Sequence, residues 1–189
     1  MRNPSYQDIQ NLRQELSDVA FKHWLNDDVF SPTWWLLLAS TIIPVLIWYK
    51  LVDKERFFEI LSYGLITAYL STVLDVIGVS LIRWGYPDKL FSMIPPLFPA
   101  DLVVIPVSAM LVYQYFNKWS SFLTANILWA STFAYIIEPL AIKIHMFHMD
   151  NWKHTYSFIG FIVLGISLRY IILFLLRKLK KTCEQHILD

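Results

Sequence analysis

The sequence contains few charged residues and very little cysteine. Lys, Arg, Asp and Glu together make up 16% of its 189 residues, compared with about 25% in a typical soluble domain. The net charge of +1 argues against the strongly basic surface that nucleic-acid binding requires. Cys183 is the only cysteine, so the chain cannot form an internal disulfide. Its first residues lack the apolar core of a cleavable signal peptide, and we expect the first hydrophobic segment to be an uncleaved anchor.

Long apolar stretches dominate the rest of the chain. Hydrophobic residues account for 56% of the sequence, and a helix needs about 20 apolar residues to cross ~30 Å of hydrocarbon. We therefore predict an all-α fold, a polytopic transmembrane bundle of five helices. The predicted spans cover residues 34–49, 57–82, 101–116, 120–142 and 156–176. Pro44 and Pro106 should kink the first and third spans, and the proline-rich segment 95–99 should form an ordered cap or a re-entrant turn.

The N-terminal segment differs in character from the bundle. Apolar residues recur at three- and four-residue steps over positions 5–26, which predicts an amphipathic helix outside the membrane. Because this segment is acidic, it should pack across the mouth of the bundle or against a partner rather than bind anionic lipid. The chain thus divides into an N-terminal helix (1–33), the bundle (34–176) and a basic tail (177–189).

The distribution of Lys and Arg predicts the orientation. Eight basic residues lie near the span ends on one side, four of them after the last span; they are Lys50, Lys54, Arg56, Lys118, Arg177, Lys178, Lys180 and Lys181. The opposite side receives fewer. Since positive residues accumulate on the cytoplasmic side, we expect a plasma-membrane protein with its N-terminus outside and its C-terminus in the cytoplasm.

Three acidic residues lie at or near the ends of predicted spans. Asp75 comes late in the second, Asp101 opens the third and Glu138 comes late in the fourth. Alternating span directions should bring all three to the outer side. Polar residues at helical spacing should converge with them on one cavity; they are Tyr63, Thr67, Ser71, Ser108, Tyr115, Ser131 and Tyr135. Charged groups at this depth are expensive, and we predict a candidate acid–base pocket.

Each acidic residue also has a purely structural interpretation. Asp101 could be an N-cap, because it stands where a helix begins. Glu138 could belong to a local hydrogen-bond network around the proline that follows it. Asp75 could pair with Arg83 or Lys89 at the interface. Both interpretations remain open at this stage.

Other side chains are candidates for binding. Trp84, Tyr86, Tyr135, Trp152, His154 and Arg169 form this set. Arg169 lies deep in the last span and should pair with a buried acid or with backbone carbonyls, or hold an anionic head group. The loop residues His145, His148, Asp150 and His154 have spacings that a metal could use. Because interfacial histidines are commoner, we predict neither metal nor cofactor.

Several motifs resemble known membrane proteins. LDVIGVSLIRWGYP (74–87), IPPLFPADLVVIPVSAMLVYQYF (94–116), EPL (138–140) and NWKHTYSF (151–158) are similar to a family of uncharacterised small membrane proteins from spore-forming Gram-positive bacteria. Asp75, Trp84, Tyr86 and Pro99-Ala100-Asp101 also resemble, more faintly, the heterodimer-type lycopene cyclases, although Leu102 stands where those enzymes have a second acid and their helix count differs. The second resemblance implies a related bundle with a carboxylate pocket.

Three functional hypotheses follow from the sequence. The bundle could bind, and transform, an isoprenoid or another membrane lipid, with Asp101 and Glu138 as acid and base and Asp75 orienting them. The chain could instead be a noncatalytic accessory or structural subunit of a membrane protein partner. It could also be a small transporter in which the same carboxylates carry protons.

Overall fold

The computed structural model describes residues 3–92 and 97–188, and these are largely helical. The helices are α1 (Tyr6–His23), α2 (Pro32–Leu51), α3 (Phe57–Ser80), α4 (Ile105–Tyr115), α5 (Trp119–Thr132), α6 (Glu138–Lys143) and α7 (His154–Leu188). Short π-helical segments follow α1 (Trp24–Asp28), precede α4 (Ala100–Val104) and join α5 to α6 (Phe133–Ile137). Two short strands, β1 (Trp84–Gly85) and β2 (His148–Met149), pair antiparallel.

Four helical stretches are long and apolar enough to cross a membrane. They are Pro32–Leu51, Phe57–Ser80, Trp119–Lys143 and His154–Leu179. This confirms the helical, membrane-type character predicted from composition. The remaining predicted span coincides with Ala100–Tyr115, which is apolar but shorter. Positions 95 and 96 of the proline-rich segment lie outside the described residues, so the predicted cap falls partly beyond them.

The two prolines in apolar helices occupy different local settings. Pro44 lies inside α2, which continues through it to Leu51. Pro106 lies in the first turn of α4, directly after the π-helical segment Ala100–Val104, so it stands inside one continuous helical stretch. Ser31 caps α2 by accepting a 3.1 Å hydrogen bond from the N–H of Trp34, which explains why that helix begins immediately after it.

Helix α3 lies at the centre of the packed region. Its predicted polar stripe is buried along the whole length of the helix, at Tyr63, Thr67, Ser71 and Asp75. Helix α4 packs closely against it, and a Cβ on Gly64 would lie 2.3 Å from the Met110 sulfur. Glycine therefore permits the close approach of these two helices.

The surfaces of α1 and α2 are mostly unburied. Within α2 the buried residue is Leu37, and large apolar side chains such as Ile43 and Leu46 are exposed, as expected for a lipid-facing helix. Helix α1 begins with a capping box between Ser5 and Asp8. None of its own residues, all of which the structure describes, is buried.

Candidate functional site

The end of the bundle where α3 finishes holds the predicted acidic residues, and we call it the acidic end. Helix α3 ends in a left-handed residue, Ile82 (φ 53°), and the N–H of Arg83 bonds to the carbonyl of Gly78 at 2.9 Å. The chain then folds back, and Trp84 lies against the last turns of α3. A Cβ on Gly78 would lie 1.9 Å from the Trp84 ring, so this position requires glycine.

Asp75 is the hydrogen-bond centre of the acidic end. Its side chain is 5% exposed. The Trp84 indole N–H and the Tyr86 hydroxyl both donate to Oδ1, each at 2.5 Å. The backbone N–H of Leu97 donates to Oδ2 at 3.3 Å. These donors compensate for the lost water around the carboxylate, and none of them is the Arg83 or Lys89 that the sequence offered as partners.

Asp101 contacts Asp75 from the facing helical segment. It is the second residue of the π-helical stretch that begins at Ala100, not a residue that caps it. Its side chain is also 5% exposed, and its carboxyl lies close enough to the Asp75 carboxyl for the two groups to interact directly. The Ser71 hydroxyl lies 2.9 Å from its backbone oxygen. Among the described residues, no donor reaches its Oδ2.

Two buried carboxyl groups in contact have a definite chemical consequence. A hydrogen bond between them requires a proton, because two ionised carboxylates at this distance repel each other. The donors described above all bond to Asp75, which suits it to carry the negative charge. Asp101 is therefore the group better placed to hold the shared proton and to give it up, which is the role of a general acid.

Two loop residues next to the pair have shifted pKa values. Burial raises the pKa of Tyr86 well above its ordinary value, and the charges of Asp75 and Asp101 raise it further. Tyr86 thus stays a hydrogen-bond donor. Burial lowers the pKa of Lys89, whereas the charges of Asp28 and Asp75 act in the opposite direction. Lys89 therefore lies close enough to Asp28 and Asp75 to interact with their charges.

Glu138 belongs to a second polar group at the same end. Its Oε2 lies 2.8 Å from Nδ1 of His154, and the Ser157 hydroxyl also bonds to its carboxylate. Trp152 donates to Ser157 at 2.9 Å and packs edge-on against Trp84, with 4.8 Å between ring centroids. A pair of tryptophans therefore links the Asp75–Asp101 pair to the Glu138–His154 pair.

The sequence predicted that the N-terminal segment packs across the mouth of the bundle or against a partner, but it did not single out the stretch that holds the loop above Asp75. We call residues 24–34 the strap. The indole N–H groups of Trp24 and Trp34 both donate to the carbonyl of Leu90, at 3.1 and 3.2 Å. Asp28, only 2% exposed, accepts from the N–H of Lys89 at 2.9 Å. Its carboxylate is the signal that could have revealed the strap, because an acid beside a predicted span is rarely buried without a partner.

Burial also affects the ionisation of Asp28. Desolvation raises its pKa, and the charges of Asp88 and Asp27 add to that effect. The Lys89 N–H and His23 act in the opposite direction. Next to the strap, Leu37, Leu90, Leu97 and Met146 form an apolar cluster, which packs the loop against α2.

Other predicted site residues lie elsewhere. Tyr135 is 47% exposed and packs against Phe158, and Tyr115 is also exposed. The structure therefore brings neither of them to the acid pair. His148 pairs with Asp150 at 3.3 Å, apart from the Glu138–His154 pair. No group of three or more metal-ligating side chains is found within the described ranges.

Arg169 lies at the opposite end, which we call the arginine end. Its two terminal nitrogens donate to the backbone carbonyls of Phe116 and Asn117. The guanidinium also lies over the rings of Phe122 and Trp119, 4.3 and 4.9 Å from their centroids. The sequence analysis considered a buried acid, backbone carbonyls or an anionic head group as partners of Arg169. In the structure its partners are backbone carbonyls.

Comparison with known proteins gives no further guidance. No family model, curated protein or solved structure matches the chain. The resemblances to the family from spore-forming bacteria and to the lycopene cyclases remain expectations from the sequence.

Proposed function

We propose that this chain is a five-span protein of the plasma membrane that binds an isoprenoid or another apolar lipid at the acidic end. Its N-terminus would lie outside and its C-terminus in the cytoplasm, with Ala100–Tyr115 as the short fifth span. The observation that supports this best is the contact between Asp75 and Asp101, two almost fully buried carboxyls from different helices. Such a pair is costly in an apolar bundle, which favours a functional role.

The surroundings of the pair suit an apolar substrate with double bonds. Asp101 would donate its proton to an alkene carbon, which leaves a carbocation on the neighbouring carbon. The faces of Trp84, Tyr86 and Trp152 are the groups that stabilise such a cation. Glu138, held by His154 and Ser157, would accept a proton from an adjacent carbon, so the product would be an isomer of the substrate. Asp75 would act as a positioning residue that keeps the proton on Asp101.

Retained lipid provides the test. The protein is purified in mild detergent and its bound lipids are identified by mass spectrometry. We expect a reproducible isoprenoid or other apolar lipid in the wild type, and we expect Asp101→Asn and Glu138→Gln to retain it but leave it unconverted in the host. Asp150→Asn, an acidic residue of the same end outside the pair, serves as the control.

Two results would contradict the proposal. One is the absence of apolar lipid from correctly inserted wild-type protein. The other is full host function of both Asp101→Asn and Glu138→Gln, which would leave the carboxyls without a catalytic role.

A second candidate function is that of a noncatalytic subunit, and α1 favours it. Leu12 and Leu16 are exposed along this helix, and helices with an exposed apolar stripe commonly bind another helix or groove. In this case Leu12→Gln combined with Leu16→Gln should lower the cellular amount of the protein only when its partner is present. Equal amounts of variant and wild type would rule this function out.

A further inference from the structure

A groove at the arginine end has no role in the proposed reaction. It lies where α2 finishes and α3 begins, encloses about 410 Å³ and is lined by Tyr49, Lys50, Val52, Lys54 and Phe57. This volume falls within the ~300–1,000 Å³ typical of small-molecule sites. Since α2 and α3 are both long enough to cross a membrane, the groove would open at the level of the lipid head groups.

The charge of the groove has one sign. Lys50 and Lys54 are exposed and make no ion pair with any described residue, and the lining contains no acid. Glu59 pairs with Arg56 at 2.6 Å, and the carboxylates of Asp53 and Glu55 lie outside the lining. The lining itself thus carries two ammonium groups and no carboxylate.

The backbone of the groove is fixed from behind. Gln114 of α4 is buried and bonds to the connecting turn in both directions. Its Nε2 donates to the carbonyl of Leu51 at 2.8 Å, and its Oε1 accepts from the N–H of Asp53 at 3.0 Å. The turn that carries both lysines is therefore held against the bundle, so binding a ligand requires little further ordering of the backbone.

We propose that this groove binds the head group of an acidic phospholipid, with the phosphate between Lys50 and Lys54. The apolar wall formed by Val52 and Phe57 would contact the glycerol and the first part of the acyl chains. The lysine stems would lie along the same wall while their amines face the phosphate. A zwitterionic phospholipid carries a cationic group that these two lysines repel, so an anionic head group is preferred.

This inference shares with the proposed function the arrangement of the helices across a membrane, but not the acidic end. The test uses full-length protein in mild detergent, titrated with phosphatidylglycerol or phosphatidylcholine, and counts retained lipids by native mass spectrometry. The test variant is Lys50→Gln with Lys54→Gln. The control, Lys118→Gln with Lys143→Gln, removes the same charge from exposed positions outside the groove.

We expect the wild type to retain phosphatidylglycerol preferentially. The test variant should bind it about 30-fold more weakly, because each Lys near an anionic surface contributes about fivefold. The control should bind as the wild type does, and Lys50→Arg with Lys54→Arg should restore most of the preference.

Three outcomes would overturn the inference. They are equal retention of the two lipids by the wild type, an equal loss in the control, and displacement of phosphatidylglycerol by a similar concentration of inorganic phosphate, which would assign the groove to free anions. Asp101→Asn should leave phosphatidylglycerol binding unchanged. A loss of apolar lipid from the acidic end alone would therefore contradict the proposed function and leave the groove assignment standing.

Discussion

Both ends of the bundle bury ionisable groups, but these groups form hydrogen bonds with different kinds of partner. At the arginine end, Arg56 bonds to Glu59 and Asn117. Arg169 bonds to two carbonyls that follow α4, and its Nε meets no acceptor among the described residues. At the acidic end, Asp75 is fully bonded, whereas Oδ2 of Asp101 meets no donor among the described residues.

This difference distinguishes buried groups that stabilise the fold from buried groups that could take part in a reaction. Arg169 binds the end of α4, where the last carbonyls lack intrahelical partners, and Arg56 pairs with the Glu59 carboxylate. The side chains of Asp75 and Asp101 do not bond to carbonyls at a helix end. The donors to Asp75 are mainly the loop side chains Trp84 and Tyr86. A proton shared by two carboxyls is chemically available, while a guanidinium between two carbonyls has no proton to give at neutral pH.

The largest expected effect comes from changing the helix surface beneath Trp84. Gly78→Ala would place a methyl group where the Trp84 ring lies, so the ring and its hydrogen bond to Asp75 must move. Overpacking and a lost bond to a charged group together should lower the free energy of unfolding by about 4 kcal/mol. Thermal unfolding in detergent measures this. Gly160→Ala, where a Cβ meets nothing within 4 Å, should be neutral or slightly stabilising, and an equal loss in both variants would contradict the account.

Removing the guanidinium of Arg169 should destabilise the protein slightly less than Gly78→Ala does. Arg169→Gln removes a charged donor from the carbonyls of Phe116 and Asn117, which should cost about 3 kcal/mol. The protein should still retain apolar lipid at the acidic end, because the hydrogen bonds and ring contacts of Arg169 are all made at the arginine end. A variant that unfolds normally but loses bound apolar lipid would show that the ends are not independent.

The buried Asp28 of the strap predicts that the stability of the folded protein depends on pH. The pKa of Asp28 is raised in the folded protein, so its contribution to stability is present at low pH and is lost as the pH rises through its folded value. In Asp28→Asn the side chain cannot ionise, so stability is not lost in this way. The amide oxygen of the asparagine can still accept from the backbone N–H of Lys89. As the pH rises above about 4, the ordinary pKa of an Asp carboxyl, the melting temperature of the wild type should fall relative to that of the variant.

The matching control for the strap is Asp18→Asn, since Asp18 is exposed on α1 and is not among the charges that act on Asp28. It should follow the wild type at each pH. Parallel curves for Asp28→Asn and the wild type would show that the buried carboxylate does not titrate in this range.

The smallest expected effect concerns the turn that starts the loop over Asp75. Ile82 adopts φ 53°, a left-handed conformation that is unfavourable for a β-branched residue. Ile82→Gly should relieve this strain and raise the free energy of unfolding by about 1 kcal/mol or less. Trp fluorescence reports whether Trp84 keeps its position, and a destabilised variant would show that Ile82 contributes more through its exposed side chain than it costs in strain.

The sequence predicted one part of the acidic end correctly and missed another for a physical reason. The spacing of Tyr63, Thr67, Ser71 and Asp75 is that of an α-helix, and α3 is a regular helix, so all four are buried on one side. The Ser131, Tyr135 and Glu138 stripe assumed the same period. The π-helical segment Phe133–Ile137 intervenes. Tyr135 packs against Phe158 and Glu138 bonds to His154, so both contact the start of α7 rather than the acid pair.

Sequence alone determined the apolar helical character, the approximate positions of the long helices and the placement of Asp75 and Asp101 at the same end of the bundle. These follow from hydrophobic length and from the alternating direction of successive helices. Tertiary structure decided which partner each charged group takes: carbonyls for Arg169, His154 for Glu138, and the Lys89 N–H for Asp28. Partner choice depends on helix rotation and on how the loops fold back, and both are set by side-chain packing between segments far apart in the chain.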